Sequence, residues 1–191
     1  MKKLHPVFWA FLFGLIMGIL WPNLFLKSAW KINGTADILV LQKCLEESSF
    51  GKDYFWYLLK QKGVFYLFAG LMGISIFGVP VGFLGMAGMG FYIGALLTSM
   101  LLVGGIQELF FGLAMLVPQY FFYLPVSMSF FDNCIQMSMG YWKNISYYNK
   151  NYIYYFVRML GLIFLIVLGV FMESYVNPVI LKFLLKKFKF F

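Results

Sequence analysis

Long apolar runs separated by short polar or glycine-rich intervals organise this chain. The first run, residues 5–26, reads HPVFWAFLFGLIMGILWPNLFL and follows Met1-Lys2-Lys3. Its length predicts a retained span rather than a signal peptide, as does the Trp21-Pro22 pair standing where a small-residue cleavage site would be needed. The next uncharged run, Gly63 to Gln107, far exceeds the roughly 20 residues of one crossing. At about 1.5 Å per residue, residues 63–104 have about twice the length of a membrane's hydrocarbon core, so two spans are expected. The glycine-dense GFLGMAGMG, Gly82 to Gly90, predicts the hairpin between them, with spans over about 63–84 and 88–104. Pro80 then lies late in the second span, where its missing amide hydrogen should bend the helix.

Residues 106–139 are too long for one untilted span and too short for two, at about 50 Å of helix. The stretch LVPQYFFYLP, Leu116 to Pro125, places Pro118 and Pro125 within two turns. The spacing predicts a half-length or re-entrant helix over Ile106–Val117, a break at Pro118-Gln119, and a span from about Tyr120 to Ser138. Non-helical backbone at membrane depth must be covered by protein or water. Gln119 is therefore expected to face the interior and satisfy freed backbone groups. A final span covers about 152–176.

The polar intervals carry amphipathic patterns. In the first loop, 27–62, Ile38, Leu41 and Leu45 suggest a short amphipathic element. The aromatic run DYFWYLLKQKG, Asp53 to Gly63, predicts an interfacial helix feeding the second span. Tyr54, Phe55, Trp56 and Tyr57 make its aromatic end a candidate contact surface for extracytoplasmic partners. In the tail, 179–191, Lys182, Lys186 and Lys189 oppose Phe183, Leu184 and Phe188, the pattern of a basic helix lying on a membrane. Four-residue glycine spacing recurs at Gly14 and Gly18, at Gly78 and Gly82, and at Gly90 and Gly94. Such strips let helix backbones approach closely in lipid; for the first pair, chance glycine content is an equal reading.

Composition strengthens this picture. Hydrophobic residues make up 62% of the 191 positions and charged residues 12%, leaving too little polar surface for a soluble exterior. The fold class expected is all-α: a polytopic membrane helix bundle of about five spans plus a short broken or re-entrant helix, with the whole chain as one membrane domain. The net charge of +8 does not point to nucleic acid, because the lysines cluster at the borders of apolar runs, where anionic lipid head groups lie. Charge leaves orientation open. Five spans with the amino terminus inside put the basic tail outside, and a sixth crossing through Ile106–Val117 would bring it back.

Beyond Gly63 the only acidic residues are Glu108, Asp132 and Glu173. A carboxylate within a bilayer costs several kcal/mol unless protonated or paired. Glu108 starts the short helix, where the helix dipole favours it, or else it serves the break. Asp132 reads as interfacial. Glu173, in MESYVNP, either snorkels or pairs across helices, and Asn177-Pro178 follows it. Catalysis finds no support: His5 is the one histidine, no HExxH motif occurs, and Cys44 and Cys134 have no metal-ligand spacing. No catalytic residue, cofactor or metal is expected.

Three stretches together resemble the stage II sporulation protein M family. LMGISIFGVPVGFL, Leu71 to Leu84, is similar to its glycine- and proline-marked second span. LVPQYFFYLPV, Leu116 to Val126, resembles its proline-polar signature with a second proline. MESYVNPVIL, Met172 to Leu181, resembles its terminal acidic, aromatic and proline pattern. Where the broader family often has histidine after the first signature proline, this chain has Gln119, as the sporulation branch can.

The resemblance implies a multi-pass protein of the bacterial cytoplasmic membrane in an endospore-former. It would be a non-enzymatic scaffold that localises stage II sporulation proteins D and P, which degrade peptidoglycan during septal thinning and forespore engulfment. Pro80, Pro118, Gln119, Pro125, Glu108, Glu173, Asn177 and Pro178 would shape its polar break. The alternative is a small transporter or permease-like subunit, because discontinuous membrane helices often line substrate paths.

Overall fold

The computed structural model describes residues 6–26, 52–142 and 152–180. The amphipathic element expected near Ile38, Leu41 and Leu45, Cys44, the stretch 143–151 and the basic tail from Leu181 lie outside the described residues. Helix α1 spans Pro6–Trp21 and ends in a π-helical turn, Pro22–Leu26. Helix α2 spans Lys52–Met72, α3 Gly78–Trp142 and α4 Tyr152–Phe171; a second π-helical turn, Met172–Val176, follows α4. Among the described residues there is no strand.

Helix α3, with 65 residues, would extend about 100 Å if straight, three times the hydrocarbon thickness. It folds back instead. Gly105, at φ 71° and ψ −150°, takes a backbone conformation essentially reserved for glycine. This divides α3 into a first arm, Gly78–Leu102, a short middle piece, Gly105–Ala114, and a last arm, Leu116–Gly140. The middle piece and last arm meet at 54°.

The broken element expected over 106–139 is present, but its bend lies between Ala114 and Leu116, about one turn ahead of the expected Pro118-Gln119. The backbone stays helical through both Pro118 and Pro125, and the sharp reversal belongs to Gly105. Pro118 contributes the bend: its ring crowds the carbonyl of residue 114, and its missing N–H frees that carbonyl. A single lost hydrogen bond bends a helix flanked by good apolar packing, but does not end it.

Two other sequence expectations change. The hairpin placed at Gly82–Gly90 is continuous helix, and the real turn is Gly73 to Phe77, between α2 and α3. The separate interfacial helix over Asp53–Gly63 and the first half of the predicted second span are one helix, α2. The run 63–84 is therefore split between two elements, and the span expected at 88–104 begins ten residues earlier, at Gly78. Pro80 does not bend the end of a span. It lies exposed in the first turn of α3, where a missing N–H costs little.

The glycines of that segment serve packing rather than turning. A Cβ at Gly14 would collide with the backbone of Ala87 and one at Gly18 with that of Phe91; Gly90 and Gly94 meet Phe11 and Leu15 in the same way. Residue numbers rise together along both helices, so α1 and the first arm of α3 run parallel, backbone against backbone. Close approach of this kind maximises dispersion where no hydrophobic driving force separates helix from lipid. Gly78 and Gly82 face the last arm instead, at Ser138 and Ile135, and that pair runs antiparallel.

The last arm is the centre of the bundle. Tyr123, Phe130, Phe131, Cys134 and Ile135 are all at most 2% exposed. Tyr66 of α2 stacks edge-on against Phe130 with ring centroids 5.1 Å apart, and its hydroxyl shares a hydrogen bond with Ser127. The turn 73–77 is clipped to the same arm: the Ser138 hydroxyl donates to Ser75 O at 2.7 Å and accepts from Val79 N at 3.2 Å. Helix α4 closes the other side, where the Tyr155 hydroxyl donates to Gly70 O at 2.7 Å.

Outside this core the surface is apolar. Phe13, Phe68, Leu84, Phe121 and Phe164 are each more than half exposed, a distribution suited to lipid and costly in water. Among the described residues, three helical stretches, Pro6–Leu24, Gly78–Leu102 and Tyr152–Ile180, are long and apolar enough to cross a membrane; counting the bent pair in α3 as one crossing makes four. Helix α2, which carries Lys52, Asp53, Lys60 and Lys62, is not among them.

Candidate functional site

At the end of α4, Pro178 has no N–H to offer the preceding turn. The Asn177 N–H reaches back to Met172 O, five residues away, which widens the turn into a π-helix. Such insertions often mark functional positions. Glu173 lies in this turn with its side chain only 12% exposed, so its charge must be met by protein.

Three side chains from two other elements converge on it. From α2, the Lys62 ammonium forms a salt bridge with Glu173 Oε2. From the last arm of α3, the Tyr123 hydroxyl donates to the same oxygen at 2.8 Å. One turn earlier, the Gln119 amide, oriented to donate, reaches Oε1 at 3.0 Å and Oε2 at 3.3 Å. Gln119 and Tyr123 are four residues apart and so share a helix face. Lys62 also sits over the Tyr123 ring, 4.0 Å from its centroid, adding a cation–π contact to the ion pair.

The packing around these groups explains why they meet. Gly169 of α4 lies against the Tyr123 ring, leaving no room for a Cβ, so the ring slides close enough for its hydroxyl to reach Glu173 one turn on. The Phe55 ring of α2 lies tilted against that of Tyr175 with centroids 6.2 Å apart, placing the start of α2 against the π-helical turn. Tyr54, near the start of α2, is partly buried.

Taken together, a carboxylate, an ammonium, a phenol and an amide form a closed network in an apolar bundle. A paired charge with its lone pairs filled is tolerated in such surroundings, whereas removing one member leaves an uncompensated charge. The geometry of this set fastens three helices at one charged point. Among the described residues, no group of three or more His, Cys, Asp or Glu side chains is placed to hold a metal ion.

The other residues singled out from the sequence distribute as follows. Pro118, half-buried, precedes Gln119 and aims the network's helix; Pro125 is exposed. Asn177 and Pro178 are buried just beyond Glu173, and the Asn177 amide oxygen has no donor among the described residues. Glu108 occupies the first turn of the middle piece and is not brought into the network. Of the four aromatic residues proposed for partner contact, Trp56 and Tyr57 are exposed while Tyr54 and Phe55 turn partly inward.

Lys62, Tyr123 and Gly169 belong to the site, yet sequence reasoning left them out. Tyr123 was open to discovery through its four-residue spacing from Gln119. Lys62 carried no such signal, since its partner lies 111 residues away. No protein-family model, curated protein or solved structure matches this chain.

Proposed function

We propose that this protein is a non-enzymatic scaffold of the bacterial cytoplasmic membrane, of the stage II sporulation protein M type. In this reading it localises peptidoglycan-degrading partners, stage II sporulation proteins D and P, for septal thinning and forespore engulfment. One observation carries the proposal. Two of the three stretches that bear the resemblance, LVPQYFFYLP and MESYVNP, meet through Gln119, Tyr123 and Glu173. In this reading, residues that look like family signatures act as a structural fastener, which supports a scaffold role.

In the same proposal α2 is the fifth crossing. Its Lys62 is neutralised by Glu173, which lowers the cost of carrying a lysine near the membrane interior. The exposed Trp56 and Tyr57 at the outer end of α2 then join the first loop as the extracytoplasmic surface offered to partners. Deleting the gene in the native host is expected to block septal thinning and engulfment, and a tagged copy should co-purify a peptidoglycan hydrolase during sporulation. Normal engulfment in the deletion strain would overturn this function.

A second reading, a small transporter subunit, draws on the charged pair held beside the bent last arm, a placement shared with substrate paths. Solute flux in reconstituted liposomes that disappears in Gln119→Ala or Glu173→Gln would favour it over the scaffold.

A further inference from the structure

Helices α2 and α4 run antiparallel but do not seal along their full length. Between them lies a groove of about 530 Å³, within the size range of sites that hold small molecules. Its walls are apolar: Val64 and Leu67 on α2 face Ile163, Ile166 and Val170 on α4. One end differs. There the groove is lined by Trp56 and Lys60, both exposed.

The two ends are separated by the rise of α2 from Trp56 to Leu67, about 16 Å. That is half of a roughly 30 Å hydrocarbon core, the depth of one leaflet. Tryptophan favours the head-group level, and a lysine there keeps its ammonium at the interface. The charges divide unequally: Lys62 is committed to Glu173, while Lys60, half a turn away, makes no ion pair among the described residues. A one-leaflet apolar slot with a free cation at its interfacial end is complementary to an anionic amphiphile.

We infer that this groove is a binding site for one anionic phospholipid, its acyl chain lying between α2 and α4 and its phosphate on Lys60. The site is separate from the Glu173 network; it rests on the proposed crossing of α2 but not on the scaffold role. Its occupant would stiffen the seam between α2 and α4 next to the network, linking lipid charge to the packing of α2.

Native mass spectrometry of the full chain, released from mixed micelles containing equal phosphatidylglycerol and phosphatidylcholine, tests this. Wild type should retain one phosphatidylglycerol in preference by about fivefold, the effect of one near-surface cation. Lys60→Gln should abolish the preference, Lys60→Arg should keep it, and Val167→Trp, which fills the groove, should reduce retention of both lipids. Raising the salt should weaken the preference in the wild type, a readout that needs no variant. Equal retention of the two lipids by the wild type, or an unchanged preference in Lys60→Gln, overturns the proposal. So does disulfide capture of a second copy through Val167→Cys in bilayers, which would make the groove a dimer seam.

Discussion

The Tyr123 hydroxyl donates a 2.8 Å hydrogen bond to Glu173, fifty residues further along the chain, and the same carboxylate is paired with Lys62. Three helices are therefore fastened at one charged point. Replacing Glu173 with Gln leaves Lys62 without its counter-charge. The expected loss is about 3 kcal/mol, the lower end for a broken buried pair, because Lys62 is 28% exposed and can recover some solvation. Adding Lys62→Met should restore part of it. A double-mutant cycle on thermal unfolding in detergent is expected to give a coupling of about 1–3 kcal/mol; no coupling would mean the pair contributes nothing.

Tyr123→Phe separates the hydrogen bond from the ring. The substitution keeps the surface under the Lys62 ammonium and removes only the hydroxyl. A loss of about 1.5 kcal/mol is expected, the lower range for a bond to a charged group. Gly169→Ala should be comparably harmful, since its methyl group meets the Tyr123 ring. Unfolding midpoints of the two variants, alone and combined, check whether they act on one contact, in which case their effects will not add.

The α1–α3 seam predicts a contrast among glycines. Gly14, Gly18, Gly90 and Gly94 each lie against backbone of the facing helix, whereas Gly88 has open space around it. Gly90→Ala should separate the helices and cost about 1–3 kcal/mol through overpacking. Gly88→Ala should be neutral or stabilise by up to about 1 kcal/mol through helix propensity. Equal effects in thermal unfolding would count against the seam.

Gly105 is expected to tolerate no side chain. Its φ of 71° with ψ of −150° costs a residue with a Cβ about 1–3 kcal/mol. Gly105→Ala should destabilise the fold although nothing lies within 4 Å of the added methyl. Pro118→Ala should instead reduce the 54° bend by restoring a helical hydrogen bond. Distances between spin labels on the middle piece and the last arm would register the straightening.

Amino-acid order alone determined much of this protein. Apolar runs longer than a bilayer's core, with lysines at their borders, imply membrane-length helices whatever their arrangement, because lipid leaves the backbone no partner but itself. The paired glycines at Gly14 and Gly18, and at Gly90 and Gly94, were legible as contact strips, since a four-residue period defines one helix face. That Gln119 and Glu173 needed partners was also legible from the cost of leaving an amide or carboxylate bare in an apolar interior.

Only the tertiary structure decided which groups those partners are. Lys62 reads from the sequence as a border lysine; the packing of α2 against the last arm and α4 turns it inward. The hairpin expected at Gly82–Gly90 fell elsewhere for a related reason. Glycine permits a turn but does not require one, so the GFLGMAGMG segment stayed helical where α1 and the last arm of α3 could pack against it. Gly105 is the boundary expected between the elements 88–104 and 106–139, and the chain reverses there, at a φ of 71° that glycine alone adopts readily. Local pattern specifies which faces must be covered, and only the global packing selects what covers them.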